Sequence, residues 1–319
     1  MTVTPPSRKS RWHWQTRLNV LLVIAAILIP VAQLWKHYRY ARPIGEGPAG
    51  VAVAADSYSS VWSERRVILL GLGDSVTQSY GASPGHGYFE RLVKNPTDEF
   101  PDMQRVCLKQ VLPNLEPRNL SISGTTSIEC VEYQLPKLQV HDVDTFGVIV
   151  MTTGGNDVIH HYGRTPPREG AMYGARASEI GAWVANFDSR LDTIASRVRE
   201  SFPGGCHLFV ANIYDPTDGD GDIQYAGLPA WPEGLQVLAA YNEVLARFAD
   251  RHPDVTLIDM HSAFLGHGIH CTQSWHSCYR KADPHYWYWD NLEDPNDRGY
   301  DAIRRLFLIE MARVLPPAL

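Results

Sequence analysis

An α/β domain built on a parallel, doubly wound sheet of five strands is the fold class this sequence predicts, and three observations predict it. Five short apolar runs each end in a glycine-rich or polar loop. The runs are apolar almost without interruption, as strands covered on both faces must be. Segments with apolar residues spaced by threes and fours lie between or after them, the pattern of helices packing on a sheet.

Taken in order, Val67-Ile68-Leu69-Leu70 leads into Gly71-Leu72-Gly73-Asp74-Ser75, and Arg118 to Ile122 leads into Ser123-Gly124. Phe146 to Thr152 leads into Gly154-Gly155-Asn156-Asp157, His207 to Ile213 into Tyr214-Asp215-Pro216, and Val255 to Met260 into His261. Residues 177–202 repeat Ile180, Trp183, Val184, Phe187, Leu191, Ile194 and Val198 on one helical face. Residues 235–252 repeat Leu238, Tyr241, Val244, Leu245 and Phe248, and 297–315 repeat Tyr300, Ile303, Leu306, Phe307 and Met311. In such sheets ligands bind beyond the carboxyl ends of the strands, where every loop named above must lie.

Upstream of the domain, Leu18 to Trp35 carries no charge and is long enough to span a hydrocarbon core. Arg8, Lys9, Arg11 and Arg17 precede it, and Lys36, Arg39 and Arg42 follow. The slight excess of cations on the first side favours a cytoplasmic N-terminus. The expected organisation is a cytoplasmic tail (1–17), a transmembrane anchor or signal segment (18–35), a linker (36–60) and a folded domain (61–319) outside the cytoplasm. A cleaved signal peptide is the rival reading, with Ala52-Val53-Ala54 as the small-residue site. A net charge of −6 gives no reason to expect nucleic-acid binding. An extracytoplasmic domain permits disulfides, and of the five cysteines Cys271 and Cys278 are the expected pair.

The chemistry-bearing residues stand at the strand ends. A serine at a strand-to-loop turn, as in Gly73-Asp74-Ser75-Val76, presents its hydroxyl at the mouth of the sheet, although a serine there is often only a helix cap. Two further features weigh against the cap: Asn119 to Gly124 closes the second strand and Gly154-Gly155-Asn156-Asp157 the third. The order of these motifs, followed by Pro295-Asn296-Asp297-Arg298-Gly299-Tyr300, resembles the SGNH/GDSL hydrolases over about residues 64–315. The resemblance implies a flavodoxin-like three-layer sandwich and a serine ester hydrolase of the carboxylesterase, lipase or acetyl-esterase type. It makes Ser75 the nucleophile, with the backbone N–H groups of Ser75 and Gly124 and the Asn156 amide as oxyanion hole. Donors fixed on a developing oxyanion lower the barrier by several kcal/mol. No cofactor and no metal are expected.

The sequence departs from the family at the end. Members usually carry Asp-x-x-His-Pro-Asn, with the histidine as base. Here the stretch is Asn291-Leu292-Glu293-Asp294-Pro295-Asn296, with Asp294 where the histidine should be and Asn291 where the aspartate should be. A base from elsewhere is therefore expected: His267, flanked by two glycines, with Asp294 orienting it; then His285; then His86. His160 and Arg164 are expected to rim the substrate pocket. A zinc reading of His267, His270, Cys271, His276 and Cys278 matches no common spacing. A calcium reading of Asp215, Asp218, Asp220 and Asp222 lacks the glycine and glutamate of such loops, so a solvated turn is expected there. The aromatic run Tyr286 to Trp289 is expected to pack its loop down. The alternative to an enzyme is an inactive, membrane-tethered glycan-binding domain, motivated by Asp294.

Overall fold

The computed structural model describes residues 8–319. Its sheet has five strands, all parallel, in the order β2-β1-β3-β4-β5. The strands are β1 (Arg66–Gly73), β2 (Leu115–Asn119), β3 (Thr145–Thr152), β4 (Cys206–Ala211) and β5 (Val255–Ile258). This is the flavodoxin-like order, whose switch point between β1 and β3 is where ligands bind.

Each strand alternates its side chains between two cores. Val67, Leu69, Val148, Val150 and Phe209 face one, and Ile68, Leu70, Leu72, Ile149, Met151, Leu208 and Val210 face the other. The helix Asp297–Ala318 covers the first core with Tyr300, Ile303, Phe307 and Met311. The helices Gly181–Ser201 and Gly234–Arg251 cover the second with Phe187, Leu191, Tyr241 and Phe248. Period-2 alternation within wholly apolar strands is what makes the three layers.

Three expectations need correction. The second strand runs over Leu115–Asn119, a few residues before the apolar stretch expected from Arg118 to Ile122. It is an edge strand pairing only with β1, half-exposed, and it tolerates Pro117 for that reason. The expected linker, 36–60, is not free. The N-terminal helix runs on over Arg8–Tyr40, and the chain after it lies along the helix Asp297–Ala318. Ala49 N–H donates to Asp301 Oδ2 at 3.0 Å, the Tyr58 hydroxyl donates to Leu308 O at 2.7 Å, and both residues are buried. The buried Asp301 and Arg298, at 2.6 Å from Glu46 O, reach out to this small-residue segment and give it partners that sequence periodicity does not show. Finally, all five cysteines are free, including Cys271 and Cys278. Cys271 is packed into the first core, whereas Cys278 stands on the half-exposed side of its loop.

Within the N-terminal helix, Thr16–His37 is apolar and long enough to cross a membrane, and none of the described residues of its apolar window is buried. Residues 1–7 of the expected tail lie outside the described residues.

Candidate active site

β1 delivers Ser75 through a turn only glycine permits. Gly73 has φ of 106°, and a Cβ there would lie 1.7 Å from Thr152 O. Buried Gln134 holds the same residue from both sides: Oε1 accepts Gly73 N–H at 2.8 Å, and Nε2 donates to Gly73 O at 2.7 Å. Next in line, Asp74 is buried, and its Oδ1 accepts from Thr152 Oγ1 at 2.7 Å and Val76 N–H at 3.1 Å. Burial lifts its carboxyl to about 7 against those two hydrogen bonds, and the neighbouring charge of Asp294 adds to the rise. Ser75 is the partly exposed residue of this turn, and its backbone N–H has no protein acceptor among the described residues.

Asn156 follows β3 in the short helix Gly155–Ile159, entered through Gly154 at φ 99°. Its Nδ2 donates one hydrogen to Thr125 O at 3.0 Å, which fixes the amide and leaves the second hydrogen available. Gly124, with φ of 80°, stands exposed in the loop after β2. That loop is tied to the end of β1 by Ile122 N–H on Gly73 O at 3.1 Å. The N–H of Gly124 likewise has no protein acceptor among the described residues.

The third party is Asp294, buried just ahead of the C-terminal helix. Asn296 caps that helix, accepting from Arg298 and Gly299 N–H, while its Nδ2 binds the carbonyls of Tyr286 and Tyr288. This fixes the turn that carries Asp294. Asn291 Oδ1 accepts from Asp294 N–H at 3.1 Å, and Asn291 Nδ2 donates to Asp294 Oδ2 at 2.6 Å. Burial raises the Asp294 carboxyl, and the neighbouring Ser75 hydroxyl and Asn291 amide pull it back down; Asp294 Oδ1 makes no hydrogen bond among the described residues. The Ser75 side chain is therefore the neighbour of Asp294. The adjacent Glu293 is lifted to about 7 by burial and by the charge of Asp294.

Asp74, Ser75, Asn156 and Glu293 line one cavity of about 140 Å³. The rest of its wall is mainly apolar, with Val158, Ile159, Ile213, Trp231, Leu238 and Met260. Sequence reasoning had not singled out Asp74, Glu293, Gln134 or this apolar wall. Asp74 and Glu293 were signalled only by adjacency to Ser75 and Asp294; Gln134 had no local signal.

The expected histidines are elsewhere. His267 does not line the cavity: its ring is buried and stacked on Trp287 at 3.4 Å between centroids, and its Nδ1 lies 3.0 Å from His285 O. Burial lowers it to about 4, and the charged groups acting on it are Asp283, Arg280 and Arg298, not Asp294. The glycines that seemed to free His267 serve packing: a Cβ on Gly266 would lie 2.1 Å from Cys278 O, and one on Gly268 2.3 Å from Pro216 O. His285 pairs with Asp283, Nδ1 to Oδ1 at 2.5 Å, and His86 Nε2 lies 3.2 Å from Asp98 on the surface. Neither lines the cavity. His160 and Arg164 stand outside its wall as well, half-buried and exposed, on the loop that continues from Ile159. Of the aromatic run, Tyr286, Trp287 and Tyr288 are buried as expected, whereas Trp289 is exposed.

A family model described as "GDSL-like Lipase/Acylhydrolase family" matches residues 72–302. A search of curated proteins returned no match. Among solved structures, the chain is similar to an extracellular lipase from Streptomyces rimosus, with 18% identity and a TM-score of 0.47, over 78% of this chain and 99% of that one. It is similar to Axe2, an acetylxylan esterase from Geobacillus stearothermophilus, with 17% identity and a TM-score of 0.45, over 78% and 94%. It is also similar to a phospholipase A1 from Streptomyces albidoflavus, with 21% identity and a TM-score of 0.42, over 78% and 99%.

Proposed function

Because the chain belongs to the GDSL-like lipase/acylhydrolase family and is a hydrolase acting on ester bonds, we propose that Ser75 is its nucleophile and that Asp294, rather than a histidine, receives the serine proton. One observation carries the reading: Asn291 holds Oδ2 of the buried Asp294 carboxyl at 2.6 Å, Oδ1 makes no hydrogen bond among the described residues, and the Ser75 hydroxyl is the neighbour that acts on that carboxyl. The exchange of residues is self-consistent. An imidazole base needs an acceptor behind it, which an aspartate supplies; a carboxylate base needs a donor, which the Asn291 amide supplies. An aspartate at both positions would set two carboxylates against each other.

A carboxylate near its ordinary pKa is a weak base for a hydroxyl, and burial moves Asp294 in the useful direction. In the proposed sequence Ser75 Oγ bonds to the acyl carbon while its proton passes to Asp294. The carbonyl electrons move to the oxygen, where Ser75 N–H, Gly124 N–H and the free Asn156 hydrogen stabilise the charge. Collapse breaks the bond to the alcohol, which leaves with the proton from Asp294. A water molecule then attacks the acyl-serine, giving its proton to Asp294. The carboxylic acid departs and the Asp294 proton returns to Ser75.

The apolar wall supports an acyl group with a hydrocarbon chain rather than a bare acetyl. The uncovered helix Thr16–His37 supports anchoring in a membrane, with the hydrolase domain on the extracytoplasmic side and a lipid or glycan ester as substrate.

The test is labelling of detergent-purified protein by a fluorophosphonate together with hydrolysis of p-nitrophenyl esters of rising chain length. Labelling lost in Ser75→Ala, with turnover down about 10⁴-fold or more, is the expected result. Absence of labelling and turnover in folded wild-type protein overturns it and leaves the glycan-binding module.

A further inference from the structure

The two loops that sequence reading treated separately, as a calcium-like turn and a zinc-like run, meet in space. Asp218, buried and at φ 54°, accepts backbone N–H groups from Gly266, Gly268 and His270 at 2.8, 2.9 and 2.9 Å. This seam brings the next acidic residues against the histidines. His270 Nε2 lies 2.9 Å from Asp222 Oδ1 and 3.8 Å from Asp220 Oδ2, and His276 Nε2 lies 3.2 Å from Asp220 Oδ1. The two imidazoles are parallel, at 6°, with centroids 5.0 Å apart.

We propose that Asp220, His270 and His276, with Asp222 as fourth ligand, bind a divalent transition-metal ion, and that this ion pins the loop forming one wall of the cavity to the long loop before the C-terminal helix.

The donor set is two imidazole nitrogens and carboxylate oxygens, which suits zinc and excludes a hard, all-oxygen calcium cage. One ligand atom each from Asp220, His270 and His276 already lies within 4.8 Å of the others. Tetrahedral zinc, at about 2.0–2.2 Å from each atom, draws them to about 3.3 Å apart. Asp220 is half-exposed and free to make that adjustment. His270 is buried and His276 partly so, their side chains 2% and 7% exposed. Among the described residues His276 Nε2, 3.2 Å from the Asp220 carboxylate, nevertheless makes no hydrogen bond of good geometry. A buried imidazole nitrogen left so is costly unless something is bound there. Binding through His276 Nε2 puts that ring's proton on Nδ1. The Cys278 N–H now 3.2 Å from Nδ1 then moves aside, a local change in a partly exposed loop.

The position gives the ion a task. Gly221, between the two aspartates, lines the cavity, as do Asp215, Pro216, Thr217 and Ile223 on the same loop. Asp222 Oδ2 is also 3.6 Å from the Arg39 guanidinium, which covers the Tyr225 ring at the end of the N-terminal helix. The ion therefore sits where cavity wall, long loop and anchor helix come together.

The test is calorimetric titration of the full-length, EDTA-dialysed, untagged protein in detergent with zinc chloride, with metal content counted after gel filtration. One zinc per chain is expected, weakened tenfold or more in Asp220→Asn and in His276→Gln, with a zinc-dependent rise in Tm that both variants lose. Asp220→Asn changes an exposed carboxylate and keeps the fold, so its metal-free melting curve should match wild type. Failure of the folded wild type to take up stoichiometric zinc overturns the proposal, as does undiminished affinity in both variants. Neither readout depends on ester hydrolysis.

Discussion

The two halves of the site are built by different means. Ser75 and Asn156 stand at the ends of neighbouring parallel strands, and Gly124 on the loop leaving a third. Their spacing is set by the ladder, in which Gly73 pairs with Thr152 and Gly71 with Asn119. The other half hangs on the loop from His261 to Asn296, which has no ladder and is held by aromatic stacking and by the Asn296 cap. There, residue type says little about position: two histidines expected at the serine are spent on Trp287 and Asp283, and a carboxyl that looked like a defect arrives beside it.

The largest test of this contrast compares Asp294→Asn with His267→Gln. Removing the proton acceptor should lower kcat/KM by roughly 10²–10⁴-fold with little change in fold. His267→Gln should leave kcat/KM within about threefold while lowering stability by about 1–3 kcal/mol, since it replaces a buried, hydrogen-bonded and stacked ring. Steady-state kinetics with matched thermal melts decide it. The reverse pattern, a dead but folded His267→Gln beside an active Asp294→Asn, breaks the comparison and returns the imidazole to the mechanism.

On the strand side, Asn156→Ala should cost about 10²–10³ in kcat with KM nearly unchanged, because in the proposed mechanism the amide acts on the developing oxyanion rather than on the bound ester. Asn156→Asp is the sharper form, since it keeps the shape and replaces a donor with a negative charge. A loss confined to KM would mean that Asn156 holds substrate and that the oxyanion is stabilised by backbone alone.

This division also explains what could be read from the sequence. Apolar runs marked four of the five strands closely, because burial on both faces leaves little choice of residue. β2 was displaced because an edge strand with Leu-Glu-Pro-Arg-Asn needs no apolar run. The glycines at 73 and 154 were legible as turns, since positive φ leaves few alternatives. The docked segment from Arg42 to Tyr58 was not, because its partners are backbone groups and buried arginines far away in the chain. The residue proposed as base could not be read from composition: a loop with several histidines offers many candidates, and the stacking on Trp287 and the cap at Asn296 that position His267 and Asp294 leave no local signal.

The smallest expected effect sits where the halves touch. Asp74 arrives from β1 and Glu293 from the long loop, and burial lifts both to about 7, with the Asp294 charge pushing each further up. In the unfolded chain the same groups titrate near 4. Between about pH 4 and 7 the folded protein thus holds protons that the unfolded chain has released. The proton count is larger in the native state, so these groups make stability fall as pH rises through that window. On the proposed mechanism Asp294 must be ionised to accept the serine proton, so activity should rise with pH, from above the ordinary carboxylate range because burial raises this group. Glu293→Gln removes one titrating neighbour without altering the shape of the wall. It should flatten the fall in Tm between pH 5 and 7 and leave the rising limb of kcat/KM nearly in place, since Glu293 holds its proton over that window and has no charge to oppose ionisation of Asp294. Paired melts and pH–rate profiles check both. Loss of turnover in folded Glu293→Gln would mean that Glu293, not Asp294, carries the proton.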